Sequence, residues 1–458
     1  MRNILIVLFF VITGVYVAHT IVGLQLQTVR LTAFVAMVLS SILLVIKPNI
    51  ALYCLIACVA FYDPRFAFPF IRLWLHQWII LASTIFLAAY YIYQRKKVNF
   101  FGLDLVLGAF TATYFISFLN SPDVAVSIRW TLYFMILIGG YFLIRLAVNT
   151  KLQLRNVMLF LILCATATAF ISFFNPIVGS RVGSLVLVNP NALGNYLTMI
   201  LPPAVALLLY GSLSRGIKAF LIVGIIAIGI SIIMTLSRSS WVGSLCGLLM
   251  LGIFKPRLKY WLLLALILVP VAFIPRVKER AIEDRSDAGI FYRRTKIQIA
   301  WQMFKENPVL GHGPGSFQFI SSGREEWGVV AHSGIENMYM QILSEGGSIQ
   351  AVFFVLLVVY VIYLSFTTMA FLEQPGLLYA IVLGCLAGFG AALGIGAGEN
   401  AFIFPKSNWI VGLELGAILK VREIARLKNR ARTSDTLINN RDRKGIFEKT
   451  EILQNHNS

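Results

Sequence analysis

The chain has 458 residues, of which 58% are hydrophobic and only 13% are charged, and its formal net charge is +19. A soluble domain carries roughly 25% charged residues, so this composition, sustained along the length, excludes a soluble globular protein and predicts a polytopic membrane protein. The positive charge falls in short loops and a basic tail, as cytoplasmic flanks and anionic headgroups require. No basic, aromatic-bearing soluble domain is present, which excludes a nucleic-acid partner.

Apolar runs long enough to span a bilayer recur about fourteen times. They cover 4–22, 29–46, 49–62, 76–93, 103–119, 129–147, 157–174, 192–210, 217–235, 240–254, 259–275, 350–371, 377–397 and 407–421. The expected fold is all-α, with about twelve to fourteen transmembrane helices. Four parts are expected: a helix bundle over 1–275, a loop domain over 276–349, C-terminal spans over 350–421 and a basic tail over 422–458. The first run starts with a basic residue but is too long for a signal peptide, and reads as a retained helix. Cys54, Cys58, Cys164, Cys246 and Cys385 all lie in apolar runs and read as packing residues, with no His or carboxylate beside them for metal or redox work.

The basic loops set the orientation. "YQRKK" at 93–97, "RLAVNTKLQLR" at 145–155, "SRGIK" at 214–218 and "KPRLK" at 255–259 fall on one side by helix count, with both termini. That side is read as cytoplasmic. The other loops then face outward: 120–128, 175–191, the tight turn "LSRSSW" at 236–241, the interval 276–349 and 398–408.

The long interval balances nine Lys/Arg against nine Asp/Glu, so it reads as a structured loop domain. Within it "RRTKIQIAWQMFKENP" is expected to be an amphipathic helix ending at Pro308, with Ile297, Ile299, Ala300, Trp301 and Phe304 buried. "IENMYMQILSEGG" is expected to be a second helix leading into the next span, with Met338, Met340, Ile342 and Leu343 on its apolar side.

Four outward-facing stretches carry chemistry: Arg181, Asn189, Asn191 and Asn195 in "GSRVGSLVLVNPNALGNYL"; Arg238 in "TLSRSSWVG"; Arg293 and Arg294 followed by "NPVLGHGPGSF"; and His332, Glu336 and Asn337 in "AHSGIENMYMQILSEGG". An Arg at a membrane boundary either snorkels or pairs. A guanidinium can also grip phosphate oxygens bidentately. Arg276, Lys278, Arg280 and Arg285 are balanced by nearby acids and read as solvated. "GHGPGSF" lacks the GK[ST] of a Walker loop; it is either a turn between helices or a place where Gly313 and Gly315 let backbone N–H groups approach a ligand. His312 has no second His or Cys at metal-ligand spacing, and no metal is expected. His332 and Glu336 are either a cap-and-bridge pair or candidate general bases.

"NPNALGNYL", "TLSRSSWVG", Arg293 ahead of "NPVLGHGPGSF", and "ENMYMQILSEGG", in this order, resemble the O-antigen ligase and O-antigen polymerase superfamily of bacterial glycan transferases. The resemblance implies a GT-C-like helical fold in the bacterial inner membrane. It implies metal-independent, cofactor-free transfer of a preassembled glycan from undecaprenyl diphosphate, on the periplasmic face, to a lipid A core, another lipid or a protein. Arg181, Arg238, Arg293 and Arg294 would hold the diphosphate, with Asn191, Asn337, Gly313 and Gly315 in support. The family's loop motif places a His, then Asn, Ser or Gln, nine residues, Gly, two residues, and Gly, Thr or Tyr. Aligned on Asn337, this chain has Glu336 in the His position, Gly347 at the glycine and Gln350 at the end. Glu336 in register and His332 one turn earlier are both candidate bases, and both ligase and polymerase remain open. A lipid or polysaccharide transporter is the alternative of another class, although no inverted repeat or paired interrupted helices are visible.

Overall fold

The computed structural model describes residues 48–61, 65–67, 72–74, isolated positions between 77 and 85, 101–178, 181–183, 187, 189–254, 288–322, 334–402 and 407–427. The expected spans 4–22, 29–46 and 259–275 lie outside the described residues, as do His332, Arg276, Lys278, Arg280, Arg285 and the tail beyond 427.

The protein is an all-α polytopic membrane protein. Its helices are α1 (Pro48–Phe61), α2 (Gly102–Ile116), α3 (Val124–Ala147), α4 (Lys151–Phe173), α5 (Pro190–Tyr210), α6 (Arg215–Met234), α7 (Arg238–Phe254), α8 (Ala288–Glu306), the short α9 (Ser316–Ser322), α10 (Met338–Met369) and α11 (Leu377–Ile395). A further helix, α12, runs over 408–427. Two short antiparallel hairpins accompany them: β1 (Arg65–Ala67) with β2 (Arg72–Trp74), and β3 (Pro176–Val178) with β4 (Arg181–Val182). Among the described residues seven helices are long and apolar enough to cross a membrane: α2 with the turn that follows it, α3, α4, α5, α6, α10 and α11.

The core is built on α5 and α11, which pack on each other and on α7, while α4 and α6 flank α5 and α2 packs on α10. Small residues permit these approaches. A Cβ on Gly394 would stand 2.9 Å from the Cα of Gly243, and one on Gly384 would stand 2.8 Å from the Cα of Pro203. The outer helices expose apolar side chains, as a lipid solvent allows: Val223, Ile226 and Ile230 on α6, and Val352, Val355 and Val359 on α10. Cys164 and Cys385 are buried in this core and Cys246 is half-buried.

The bundle has two chemically distinct ends. At one, Arg145 near the end of α3 is buried against Asp104 of α2 and donates through Nε to Glu423 of α12 at 3.0 Å. Tyr141 donates to the same Asp104 at 2.6 Å. Beside this lock stand Arg422, bonded to Thr367 at the end of α10, and Arg426, over the Phe101 ring. At the opposite end the described residues 117–123, 174–178, 181–183, 235–237, 307–322, 334–337 and 396–402 are joined by hydrogen bonds such as Asn120 to Gly311, Arg181 to Thr235 and Asn337 to Ala397.

The amphipathic helix differs from expectation in its buried face. Ile299, Ala300 and Met303 are buried with Thr295 and Lys296, whereas Ile297 and Trp301 are exposed. The reason is the partner. α8 lies against α10 and its preceding segment, with Phe317 and Ile335 closing a small second core, and the residues that meet it are 295, 296, 299, 300 and 303, an i, i+3, i+4 stripe containing a lysine. The second expected helix forms as the first turns of α10, with Met338 and Ile342 buried.

Candidate functional site

The tight turn between α6 and α7 is held in a conformation few residues adopt. Leu236 has a φ of 51°, a region uncommon for a bulky side chain. It persists because its flanks are anchored: Ser240 donates to Asn195 Oδ1 at 3.0 Å, its Oγ lies 3.0 Å from Ser237 Oγ, and Thr198 donates to the Ser240 carbonyl at 3.1 Å. Arg238 is therefore the first residue of α7, half-buried, at the end of the bundle where the loops converge. Its neighbour Ser239 abuts Gly398, where an added Cβ would lie 3.2 Å away.

The "NPN" stretch builds the start of α5. Asn189 is the N-cap and accepts from the Asn191 amide at 2.8 Å, and Pro190 occupies the first turn, where no N–H is needed. This frees the Asn191 side chain to bridge. Arg181 on β4 donates through Nε to the Thr235 carbonyl at 2.8 Å and through Nη2 to Asn191 Oδ1 at 2.7 Å. Asn191 Nδ2 then donates to Glu399 Oε1 at 2.8 Å. One hydrogen-bonded line thus joins the α6–α7 turn to the segment after α11.

A second line starts on α8. Arg293 Nε donates to Glu336 Oε2 at 2.7 Å, and Lys296 Nζ lies 3.3 Å from Glu336 Oε1. The two cations are three residues apart and share a helix face. Arg293 spends only Nε on this pair. Its Nη groups make no hydrogen bond among the described residues, and the side chain is 42% exposed. The adjacent Arg294 is exposed.

The two lines meet because the chain on either side of them is clasped. Asn337 caps α10, accepting from Met340 N at 2.9 Å, and its Nδ2 donates to the Ala397 carbonyl at 3.0 Å. Met338 N donates to the Gly396 carbonyl at 2.8 Å. Glu399 consequently senses the charge of Glu336. Burial raises the Glu336 carboxyl, but the Arg293 hydrogen bond and the Lys296 and Arg293 charges outweigh it, so its pKa falls below the usual value. Glu399 moves the other way: burial and the Glu336 charge raise it above the usual value, against smaller opposing effects from Asn191, Arg293 and Lys296.

The glycine-rich stretch is a socket for α10. Gly311, Gly313 and Gly315 all have positive φ, of 67°, 88° and 75°. The amides of His312 and Gly313 donate to the Ser344 and Glu345 carbonyls at 3.1 and 2.8 Å. Buried Glu345 accepts from Phe317 N at 3.3 Å, from the Gly315 amide and from Gln341 Nε2 at 2.8 Å. Gln341 in turn accepts from Asn400. On the other side, Ser127 donates to the Pro314 carbonyl at 2.9 Å and Asn120 to the Gly311 carbonyl at 3.2 Å. The Gly313 and Gly315 amides are thus committed to α10. Gly347, the motif glycine, has φ 68° and ψ −170° inside α10, and a Cβ there would overlap the Val309 carbonyl.

Of the residues singled out in the sequence, Arg181, Asn191, Arg293, Glu336 and Asn337 belong to the two joined lines, and Arg238 starts the helix beside them. Lys296 and Glu399 were missed. Lys296 was signalled by its spacing from Arg293; Glu399 stood in an outward loop with no partner near it in sequence. Among the described residues no three His, Cys, Asp or Glu side chains gather as a metal site.

Residues 223–355 match the family model described as O-antigen ligase. This segment runs from within α6 into α10 and carries Arg238, Arg293, Lys296, Glu336, Asn337 and Gly347; over it the chain is similar to the O-antigen ligase family. Arg181, Asn191 and Glu399 lie outside it. No curated protein matches the chain.

Proposed function

We propose that this membrane protein of the O-antigen ligase superfamily transfers a preassembled glycan from undecaprenyl diphosphate to a lipid A core, another lipid or a protein acceptor. The observation that carries the reading is the posture of Arg293: Glu336 fixes its Nε, and its Nη groups stay open beside a second basic group, Lys296. A guanidinium oriented in this way presents a fork that fits phosphate oxygens. Arg238, Arg294 and the anchored Arg181 add positive potential at the same end.

In the reaction the bond between the sugar's anomeric carbon and the diphosphate oxygen breaks, and its electron pair leaves on the diphosphate. Arg293 and Lys296 stabilise that growing charge. Preorganised charges of this kind act most strongly at sites shielded from water. The prenyl chain lies against the apolar flanks of the helices. Arg422 and Arg426 beside buried Arg145 at the far end support reading that end as cytoplasmic, and on that reading the glycan site faces the periplasm of a bacterial inner membrane, with the termini cytoplasmic.

A deletion strain complemented with wild type, Arg293→Ala or Arg238→Ala tests this by electrophoresis of its surface glycans. Wild type restores the native pattern, and the variants, at equal protein level, do not. Accumulation of carrier-linked polymer marks a ligase; loss of long chains with single repeats kept marks a polymerase of the same superfamily. Native patterns in both variants contradict the proposal, and native glycans that are made but not exported point to a transporter.

A further inference from the structure

Two carboxylates lie within the electrostatic reach of Arg293 and Lys296, and they are bonded differently. Glu336 has both oxygens engaged by cations, Oε2 by Arg293 and Oε1 by Lys296. Glu399 has Oε1 held by Asn191, and its Oε2 makes no hydrogen bond among the described residues. Asn191 is itself fixed by Arg181, and Arg181 by the Thr235 carbonyl. The clasp between Asn337 and Ala397 sets Glu399 across from Glu336. Glu399 is therefore a carboxylate with one oxygen oriented and the other available.

We infer that Glu399 is the general base that deprotonates the acceptor hydroxyl, while Glu336 is the strut that aims Arg293 and Lys296. The inference rests on the transferase reading above. As the acceptor oxygen bonds to the anomeric carbon, its proton passes to Glu399 Oε2, the bond to the diphosphate breaks, and the leaving electron pair is neutralised by Arg293 and Lys296. Glu399 then releases the proton to water, so the reaction yields one glycosylated acceptor, one carrier diphosphate and one proton.

The electrostatics agree with this division. A base works best with a pKa near the operating pH, and an acid held by two cations is a weak base. The charged groups that act on Glu399 include Glu336 ahead of α10 and Arg293 and Lys296 on α8, while Arg181 is bonded to the same Asn191 and Arg238 heads α7 next to Ser239, which abuts Gly398. Burial and the Glu336 charge raise Glu399, while those same cations lower Glu336.

The test measures, at a series of pH values, the loss of carrier-linked glycan in permeabilised native membranes. Wild-type protein is compared with Glu399→Gln, His332→Ala and Arg293→Ala, at matched protein level and thermal stability. Glutamine keeps an oxygen for Asn191 but cannot take a proton. The expected result is a wild-type rate that falls on the acid side above the usual carboxylate range. Glu399→Gln loses about 10²- to 10⁴-fold and its residual rate lacks that acid limb, whereas His332→Ala retains the limb. A Glu399→Gln variant with the wild-type rate and profile overturns the assignment, as does loss of the limb in His332→Ala alone; in both cases loss of transfer in Arg293→Ala leaves the transferase reading standing. Undiminished transfer in Arg293→Ala removes that reading and this inference with it.

Discussion

Asn337 donates to the Ala397 carbonyl at 3.0 Å, and through that contact the start of α10 is fixed to the segment that follows α11. The same side chain caps α10 by accepting from Met340 N. One residue thus starts the helix and sets the spacing between Glu336 and Glu399. Asn337→Asp keeps the cap but loses the donor to Ala397, and Asn337→Ala loses both. Thermal unfolding in detergent is expected to rank them, with Ala costing about 0.5–2 kcal/mol and Asp less. Glycan transfer is expected to fall in both.

Gly347 is required by its backbone. Its φ of 68° with ψ of −170° is a region that essentially only glycine adopts, and the Val309 carbonyl fills the space a Cβ would need. Gly347→Ala is expected to destabilise the fold by about 1–3 kcal/mol from strain alone, and by more once the overlap is included. The checks are protein level in membranes and detergent melting. An unchanged melting temperature would show that the kink is not needed.

Glu345 collects hydrogen bonds from the Phe317 and Gly315 amides and from Gln341, all in a buried setting. Removing it orphans those donors, each at roughly 1–3 kcal/mol. Glu345→Ala is expected to loosen the glycine-rich socket. Hydrogen exchange over 311–317 reads this directly, with faster exchange in the variant than in wild type.

The Glu336 ion pair carries a pH signature. Its folded-state pKa lies below the unfolded value, so its stabilisation is fully present above the ordinary carboxylate pKa of about 4.3. It is lost as pH falls through the lowered folded-state value. Glu336→Gln is expected to melt lower than wild type at neutral pH and to converge with it in acid. A difference that stays constant across that range would contradict the pairing.

Helices were legible because bilayer thickness imposes length on apolar sequence. α2 to α6 and α11 fall where the apolar runs predict, and the turn before Arg238 was visible as a short polar break. The side of α8 that is buried was not legible from hydrophobicity, since Lys296 is buried for its pairing with Glu336 while Trp301 is left outside. The arginines stood out because cations at a membrane boundary are costly. Glu399 did not, because its partner Asn191 lies 208 residues away in sequence and their meeting depends on how α5 packs on α11. The glycine-rich stretch offered two readings, and its Gly313 and Gly315 amides are occupied by Glu345.

The most direct test of the central claim is the affinity of the purified full-length protein for undecaprenyl diphosphate in detergent, wild type against Arg293→Ala. If Arg293 grips the diphosphate through its open Nη groups, the substitution weakens binding about ten- to a hundredfold, the worth of a hydrogen bond to a charged group, and added salt narrows the difference. Equal affinity in the two proteins would contradict the account.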